Sequence, residues 1–237
     1  MAEEKYGVDH GSGKKLEDRQ AMASRIAKFF HKGDIINLGV GVPLLVADYI
    51  EDGVLVHCEN GCIGCGPLIN EAESKQDNPR LSLESFRNAG SQPFYPNPGA
   101  IVFDSAMSYA IIRGGILKAT VLGCFEVAEN GDMANWFSPG KISGMGGAMD
   151  LCKAPMVIVA TTQRDKKGNS KLVKKCSLPL TCSQKIDWVV TEMAVFEFVD
   201  HKMYLKEIRE GYSLDDVAAA TDASYIIADD LLTDVIY

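Results

Sequence analysis

The sequence predicts one α/β domain in which helices cover both faces of a single open sheet, so that three layers pack together. Short apolar runs rich in β-branched residues recur along the chain, as is typical of strands buried on both faces. Segments with helical apolar spacing alternate with these runs, and glycine-rich turns follow several of them. The 237 residues suffice for one such domain with a sizeable core. We therefore expect residues 16–237 to form a single domain after a polar N-terminal extension, residues 1–15.

The N-terminal half alternates helices and strands. In residues 16–31 the apolar side chains fall at i, i+4, i+7 and i+8 from Met22, which predicts a helix that covers the sheet. Glycines between residues 39 and 43 predict a turn after the first strand. The other predicted elements, in chain order, are a strand over 35–38, a helix over 44–50, a strand over 54–57, and a charged surface loop with some helix over 70–87.

The C-terminal half continues the alternation. Pro93, Pro96 and Pro98 predict a break in the chain before a short strand over 101–103. Ser213 is a suitable N-cap for a late helix over 214–220. The remaining predicted elements, in chain order, are a helix over 105–112, a strand over 120–127, a helix that follows Gly147, and strands over 156–160 and 188–191.

The charge balance and composition exclude several functional classes. With 32 acidic and 24 basic residues, the net charge of -8 argues against a broad surface for nucleic acid. No stretch approaches the roughly 18 apolar residues of a membrane span. The N-terminus lacks the apolar core of a secretory signal. We therefore expect a cytoplasmic protein that binds neither nucleic acid nor membrane.

Seven cysteines, an odd number in a chain without a secretory signal, are typical of reduced thiols. Three of them, Cys58, Cys62 and Cys65, have the spacing C-x3-C-x2-C, which leaves two interpretations open. One is a metal or redox cluster, and the other is small apolar side chains packed around a tight turn. No second cysteine or histidine pair at zinc-finger spacing follows, which favours packing and no bound metal.

The stretch from His57 to Pro67 is the most informative one for function. It places Glu59 in a glycine-rich turn directly after the apolar run Val54-Leu55-Val56. A carboxylate displayed on a turn at the end of a strand is a candidate nucleophile.

Two other glycine-rich segments are candidates for binding an anionic group. Gly39 and Gly41 lie between a predicted strand and a predicted helix, where backbone N–H groups can face a phosphate or thioester oxygen. Gly146 and Gly147 precede a predicted helix and suit a close approach of the backbone to an oxyanion. In both segments the alternative is a turn or close contact that needs glycine for structural reasons alone.

Six motifs occur in an order that resembles one family. They are NLGVGVP (37–43), ENGCIGCGP (59–67), FDSAMSYAIIRGG (103–115), ANWFSPGK (134–141), GMGGAMDL (144–151) and KKCSLPLT (174–181). From about Leu16 onwards the chain resembles the β subunits of the 3-oxoacid CoA-transferases, family I of the CoA-transferases, which include acetate, butyrate and acetoacetate CoA-transferases. The resemblance implies the three-layer fold that these enzymes share with sugar-phosphate isomerases.

The resemblance also implies a reaction and its residues. Glu59 takes the place of the glutamate that attacks an acyl-CoA, and CoA passes to a second carboxylic acid by ping-pong kinetics through a glutamyl-CoA thioester. Gly147 takes the place of a residue whose N–H stabilises the oxyanion. No cofactor is permanently bound, because the CoA thioester is itself the substrate. The CoA contacts that the resemblance implies are those of Gly39, Gly41, Asn60, Gly61 and Gly146.

Members of this family combine an α and a β subunit, and this chain matches only the β subunit. The resemblance therefore implies that an α subunit completes the site in an α2β2 heteromer and that the chain alone is inactive. The expected acids are short ones such as acetate, butyrate and acetoacetate. Two alternatives remain open: an acyl-CoA hydrolase, in which water reaches the glutamyl intermediate, and a non-catalytic sugar-phosphate or ligand-binding domain of the same fold.

The chain departs from the family pattern in three places. Cys62 and Cys65 stand where aliphatic residues or methionine are usual. Ile116 and Lys118 replace a histidine and an acidic or amide residue, so no polar role is expected of that segment. Residues 74–86 form a longer segment than usual, which bears on the partner interface or the substrate entrance.

Overall fold

The computed structural model describes residues 14–69, 86–142 and 144–237. Of the predicted N-terminal extension over 1–15, the described part is its last two residues, which belong to the first helix. Of the loop predicted over 70–87, the described part is Phe86 and Arg87. The longer segment over 74–86 therefore lies outside the described residues apart from Phe86.

The helices of the described residues are α1 Lys14–Ala27, α2 Val42–Leu45, a single 3-10 turn over Val46–Asp48, α3 Ser105–Arg113, α4 Ala148–Leu151 and α5 Leu214–Ala219. The strands are β1 Ile35–Leu38, β2 Leu55–Cys58, β3 Cys62–Leu68, β4 Phe94–Val102, β5 Ala119–Leu122, β6 Glu126–Ala128, β7 Met133–Ala134, β8 Phe137–Ser138, β9 Lys141–Ile142, β10 Val157–Ala160, β11 Leu172–Val173, β12 Trp188–Val190, β13 Ala194–Val199, β14 Lys202–Arg209 and β15 Ile226–Val235.

Ten of these strands form one sheet in the order β15-β14-β13-β12-β10-β5-β1-β2-β3-β4. The five central strands, β12 to β2 in that order, are parallel to one another. The pairs β2/β3, β3/β4, β12/β13 and β13/β14 are antiparallel. The pair β14/β15 is parallel. The sheet is therefore parallel at its centre, antiparallel towards β4 and mixed towards β15.

Both faces of the sheet are buried, which explains the continuous apolar runs. In β10, Val157 and Val159 belong to one core cluster, and Ile158 and Ala160 belong to the other. Successive residues of a strand point to opposite faces, so a strand covered on both sides must be apolar throughout.

Helices lie on both faces, which confirms the predicted three-layer arrangement. On one face, α1, α2 and the 3-10 turn pack against the sheet, and α1 contributes Met22, Ala23 and Ile26, which are fully buried. The other face is covered by α3, α4 and α5 together with a small second sheet of β11, β6 and β7. Within the described part of the chain, no helix has both the length and the apolar character that crossing a membrane requires.

Two predictions about strands are wrong. The strand predicted over 120–127 is two strands, β5 and β6, because the chain leaves the main sheet at Gly123 and enters the small one. Both halves are buried, so the apolar pattern shows no break. The prolines at 93, 96 and 98 do not interrupt the chain before a short strand, since Pro96 and Pro98 lie within β4. β4 is the edge of the sheet, where a missing N–H leaves no neighbouring strand unpaired.

The connections of the parallel strands mark a binding edge. β2 lies on one side of β1 and β5 lies on the other, so the chain reverses its direction of progress across the sheet at β1. In open α/β sheets, such a switch point leaves a crevice at the carboxyl ends of the strands, and ligands bind there.

Candidate active site

A cavity of about 610 Å³ lies at this carboxyl edge. Its lining includes residues 39–41 after β1, Glu59 after β2 and residues 122–125 at the end of β5. A loop from farther along the chain, residues 144–148, forms another part of the wall. The fold thus brings Glu59 and both predicted glycine segments to one site.

Glu59 lies in the tight turn between β2 and β3. The N–H of Gly61 donates to the carbonyl oxygen of Cys58, and the N–H of Phe103 donates to the carbonyl oxygen of Gly61, both at 2.9 Å. Gly61 has a φ of +118°, and a Cβ there would lie 1.9 Å from the carbonyl oxygen of Phe103. The turn therefore requires glycine for both conformation and space, and it fixes the backbone next to Glu59.

Gly147 contacts the carboxylate of Glu59. Its backbone N–H lies within hydrogen-bonding reach of that carboxylate. A Cβ on Gly147 would lie 2.6 Å from Oε2 of Glu59, although the φ of −86° is one that any residue adopts. Glycine is required here by the closeness of Glu59. The neighbouring Gly146 differs, because its φ is +51° and the nearest atom to a Cβ would be 3.9 Å away.

The surroundings of Glu59 favour its neutral form. Burial raises the pKa of Glu59 above its ordinary value, and the hydrogen bond from the Gly147 N–H opposes part of that rise. Among the described residues, no lysine, arginine or histidine forms an ion pair with it. A half-buried carboxylate without a cation is poorly solvated, which makes it a better nucleophile once it is ionised.

Gly39 and Gly41 also line the cavity. The N–H of Gly39 donates to the carbonyl oxygen of Val121 at 2.9 Å, and a Cβ on Gly39 would lie 3.0 Å from that same oxygen. Gly41 has a φ of +90° with open space around it. Limited space at Gly39 and the backbone conformation at Gly41 therefore each explain why the residue is glycine. Their contact with CoA remains a prediction.

Asn60 and Gly61 are placed differently from the other predicted contacts. Neither of them lines the cavity. The side-chain amide of Asn60 donates to the carbonyl oxygen of Arg87 at 3.1 Å, and Gly61 packs against Phe103. Their positions indicate a role in shaping the turn, and a contact with CoA stays a prediction for both.

Two side chains that the sequence patterns did not single out border the site. The ring of Tyr109 lies against Gly147, and burial together with the charge of Glu59 raises the pKa of its hydroxyl. Asn135 lines the cavity and donates to the carbonyl oxygen of Gly123 at 3.3 Å. Tyr109 falls within the motif FDSAMSYAIIRGG, and Asn135 falls within ANWFSPGK. Their place in these motifs was the sequence feature that could have identified them.

The three cysteines around Glu59 pack together. Cys58 and Cys62 are buried with Phe94, and Cys65 lies against this small cluster. The thiol of Cys65 is within hydrogen-bonding reach of the other two thiols. All seven cysteines of the chain are free, and among the described residues no group of three or more His, Cys, Asp or Glu side chains is arranged to hold a metal ion. The arrangement fits packing around the hairpin.

Known proteins with similar structures share the fold. An acyl-CoA transferase of Escherichia coli O157:H7 superposes with a TM-score of 0.70 at 21% identity, over 91% of this chain and 42% of the other. A decarboxylase, AibA/AibB, superposes with a TM-score of 0.67 at 14% identity, over 93% of this chain and 90% of the other. At such identities the likeness concerns the fold alone, and the fold serves more than one reaction.

Proteins with similar sequences identify the family, which the similarity of fold does not. The β subunit of acetate CoA-transferase from Escherichia coli K12 is 43% identical over 222 residues, which is 92% of this chain and 98% of that protein. A succinyl-CoA:3-ketoacid coenzyme A transferase subunit of Helicobacter pylori 26695 is 42% identical over 210 residues, 87% of this chain and 98% of that protein. The family model for coenzyme A transferases matches residues 19–220. The chain therefore belongs to the coenzyme A transferase family, among its β subunits.

Proposed function

We propose that this chain is the β subunit of a CoA-transferase that moves CoA between a short-chain acyl-CoA and a free carboxylate, with Glu59 as the covalent carrier. One observation carries the proposal. The carboxylate of Glu59 borders a cavity and lies within hydrogen-bonding reach of the Gly147 N–H, so a nucleophile and an N–H donor meet where a thioester can enter.

The covalent steps of the proposed reaction take place between the Glu59 carboxylate and the two substrates. The Glu59 carboxylate attacks the thioester carbonyl, the C–S bond breaks, and an acyl-glutamyl anhydride and CoA thiolate form. The thiolate then attacks the glutamyl carbonyl of the anhydride, which releases the first acid and leaves a glutamyl-CoA thioester. A second carboxylate runs the same steps in reverse and departs as the new acyl-CoA. The acyl activation is preserved at each step, so no ATP is consumed.

Gly147 has a definite role in this scheme. Every tetrahedral intermediate carries an oxyanion next to Glu59, and the Gly147 N–H is a backbone donor close to Glu59 on the cavity wall. Loss of one such donor costs about 100- to 1000-fold in kcat in other enzymes. Gly146 lies beside it, and the glycines of the first loop leave room for the chain of CoA. The expected contacts of CoA with Gly39, Gly41 and Gly146 belong to the same proposal.

The partner in this proposal is an α subunit, in an α2β2 assembly. Relatives that span nearly the whole chain are named as β subunits. Exposed apolar side chains lie at the cavity: Val40 lines it and is 61% exposed, and Met149, which follows a lining residue, is 53% exposed. Exposed apolar surface beside a site fits contact with another subunit. The names of the relatives support acetate and 3-ketoacids as acids to test first. Butyrate, which the family resemblance implies, is tested next.

The experiment uses the chain co-expressed and co-purified with its α subunit. The complex is incubated with acetoacetyl-CoA, trapped with borohydride or hydroxylamine, and digested for mass spectrometry. We expect modification on the Glu59 peptide, no modification in Glu59→Gln, and unchanged modification in the control Glu210→Gln, whose glutamate is exposed. Full turnover by Glu59→Gln would exclude the proposed carrier.

The same preparation separates a transferase from a hydrolase. In a transferase, loss of acyl-CoA requires an acceptor acid such as acetate, and the new acyl-CoA appears in equal amount. In a hydrolase, acyl-CoA disappears at the same rate without any acceptor.

A further inference from the structure

A buried polar cluster lies directly beneath Glu59, and the proposed reaction does not use it. His57, two residues before Glu59, is 1% exposed. Its Nδ1 lies 3.1 Å from Nδ2 of Asn37 on β1, and its Nε2 lies 3.0 Å from the hydroxyl oxygen of Ser108 on α3. Asn37 also accepts a hydrogen bond from the hydroxyl of Thr120 on β5. The imidazole thus connects the parallel strands with the helix above them.

The contacts determine which nitrogen of His57 carries the proton. The same Nδ2 of Asn37 lies 3.2 Å from the backbone carbonyl oxygen of His57. A carbonyl oxygen only accepts, so this atom of Asn37 is the amide nitrogen, which only donates. Nδ1 of His57 must then accept, and Nε2 carries the hydrogen and donates it to Ser108. Burial lowers the pKa of His57 to about 4, which keeps this neutral form near pH 7.

Helix α3 links His57 to the other half of the site. Ser108 attaches the helix to β2, and the ring of the next residue, Tyr109, lies against Gly147. At the end of α3, Arg113 forms an ion pair with Asp150 of α4 at 2.9 Å. Because α4 begins directly after Gly147, α3 contacts both Gly147 and the helix that follows it.

We propose that His57 is a positioning residue, which through Ser108 holds α3 against β2 and so sets the distance between the Glu59 carboxylate and the Gly147 N–H. The inference rests on the proposed function of Glu59. It extends that function, because His57 touches no reacting atom and acts through the helix. The distance between Gly147 and the Glu59 carboxylate is short, since a Cβ on Gly147 would overlap that carboxylate.

Two substitutions of His57 separate its two contacts. In His57→Gln, the longer amide reaches the place of Nε2 and can still donate to Ser108. In His57→Asn, the shorter amide reaches only the place of Nδ1 and keeps the Asn37 contact. We expect kcat of the co-purified complex to fall at least about tenfold in His57→Asn and in Ser108→Ala, with KM for acyl-CoA within about twofold. His57→Gln should retain most of kcat, and the double variant His57→Asn/Ser108→Ala should be no slower than the slower single variant.

Three results would overturn the inference. They are equal kcat values for His57→Asn and His57→Gln, multiplying losses in the double variant, and a ¹⁵N NMR spectrum of the unaltered protein with the proton on Nδ1. Melting temperatures of all variants show whether a loss of kcat comes from unfolding, and the NMR measurement needs no variant. If Glu59→Gln is inactive while His57→Asn is fully active, only the positioning role fails. If Glu59→Gln keeps full activity, the carrier role of Glu59 fails as well.

Discussion

Gly61 and Gly147 both flank Glu59, but they are glycines for different reasons. Gly61 lies on the turn of the β2–β3 hairpin, and its missing Cβ would overlap the backbone carbonyl of Phe103. Gly147 lies on the loop before α4, and its missing Cβ would overlap the side chain of Glu59 itself. Backbone atoms of two packed segments cannot move apart without unfolding the turn, whereas a glutamate side chain can rotate. Glycine at position 61 is therefore needed for the fold, and glycine at position 147 is needed for the geometry of the site.

The largest effect is expected at the hairpin. Gly61→Ala places a methyl group 1.9 Å from a backbone oxygen at a φ of +118°. The backbone strain costs about 1–3 kcal/mol, and the overlap adds about 1–3 kcal/mol more. We expect a large drop in the free energy of unfolding, measured by urea denaturation, and little recoverable complex. Stability within about 0.5 kcal/mol of the unaltered protein would contradict the contrast with Gly147.

The second effect is on catalysis, with the fold preserved. Gly147→Ala forces the Glu59 carboxylate away from the loop, and a displacement of about 1 Å can cost about 100-fold in kcat. We expect kcat to fall by about that factor while the melting temperature changes little. The control is Gly144→Ala in the same loop, which meets positive-φ strain in open space away from Glu59, and whose kcat should stay near normal. Equal losses in both variants would mean that the loop, and not the contact with Glu59, is what matters.

A third effect follows from the raised pKa of Glu59. Folding favours the protonated carboxyl, so the contribution of Glu59 to stability is greatest below its unfolded pKa, about 4.3, and is lost as pH rises through the higher folded pKa. Glu59→Gln cannot ionise and should be more stable than the unaltered protein at pH 7, with the difference shrinking towards pH 4. Denaturation curves at both pH values test this. A less stable variant at pH 7 would contradict it.

The same ionisation should appear in the kinetics. Because attack requires the carboxylate, kcat/KM should fall as pH decreases through the raised pKa of Glu59. A pH profile with its acidic limb at or below the ordinary pKa of a glutamate would contradict this expectation.

The smallest effect is expected at the ion pair that joins α3 to α4. Arg113 and Asp150 are both partly exposed, with side-chain exposures of 52% and 38%. Such pairs contribute about 0.2–1 kcal/mol and are screened by salt. Arg113→Gln should lower the free energy of unfolding by that amount at low salt and by less at 1 M salt. A larger loss that persists in high salt would show that the pair has more than a surface role.

The local sequence predicts those parts of the fold that are governed by local rules. β1, β2, β10 and β12 were predicted because strands buried on both faces are mostly apolar along their length. β4 was missed because its two prolines resemble a break, and only its place at the sheet edge makes them tolerable. The division between β5 and β6 was missed because burial in two different sheets produces the same apolar pattern as burial in one.

In the candidate site too, local features could be predicted from the sequence, and contacts between distant segments could not. The placement of Glu59 at the end of a strand is local, and its sequence neighbourhood was enough to select it. Tyr109 and His57 were not selected, because their relevance comes from contacts with Gly147 and Ser108 that join distant parts of the chain. A resemblance between motifs can bring Gly147 to attention, but it cannot say what the missing Cβ would touch.

By itself, then, the sequence determined the α/β class, the strands of the parallel centre, and Glu59 as the reactive carboxylate to test. The tertiary structure alone decided that Gly147 touches that carboxylate, that Gly61 is fixed by Phe103, and that His57 joins β2 to α3. The physical reason is the separation along the chain over which each kind of interaction acts. Burial and backbone conformation act on neighbouring residues and leave a pattern in the sequence, whereas contacts between distant segments leave none until the chain has folded.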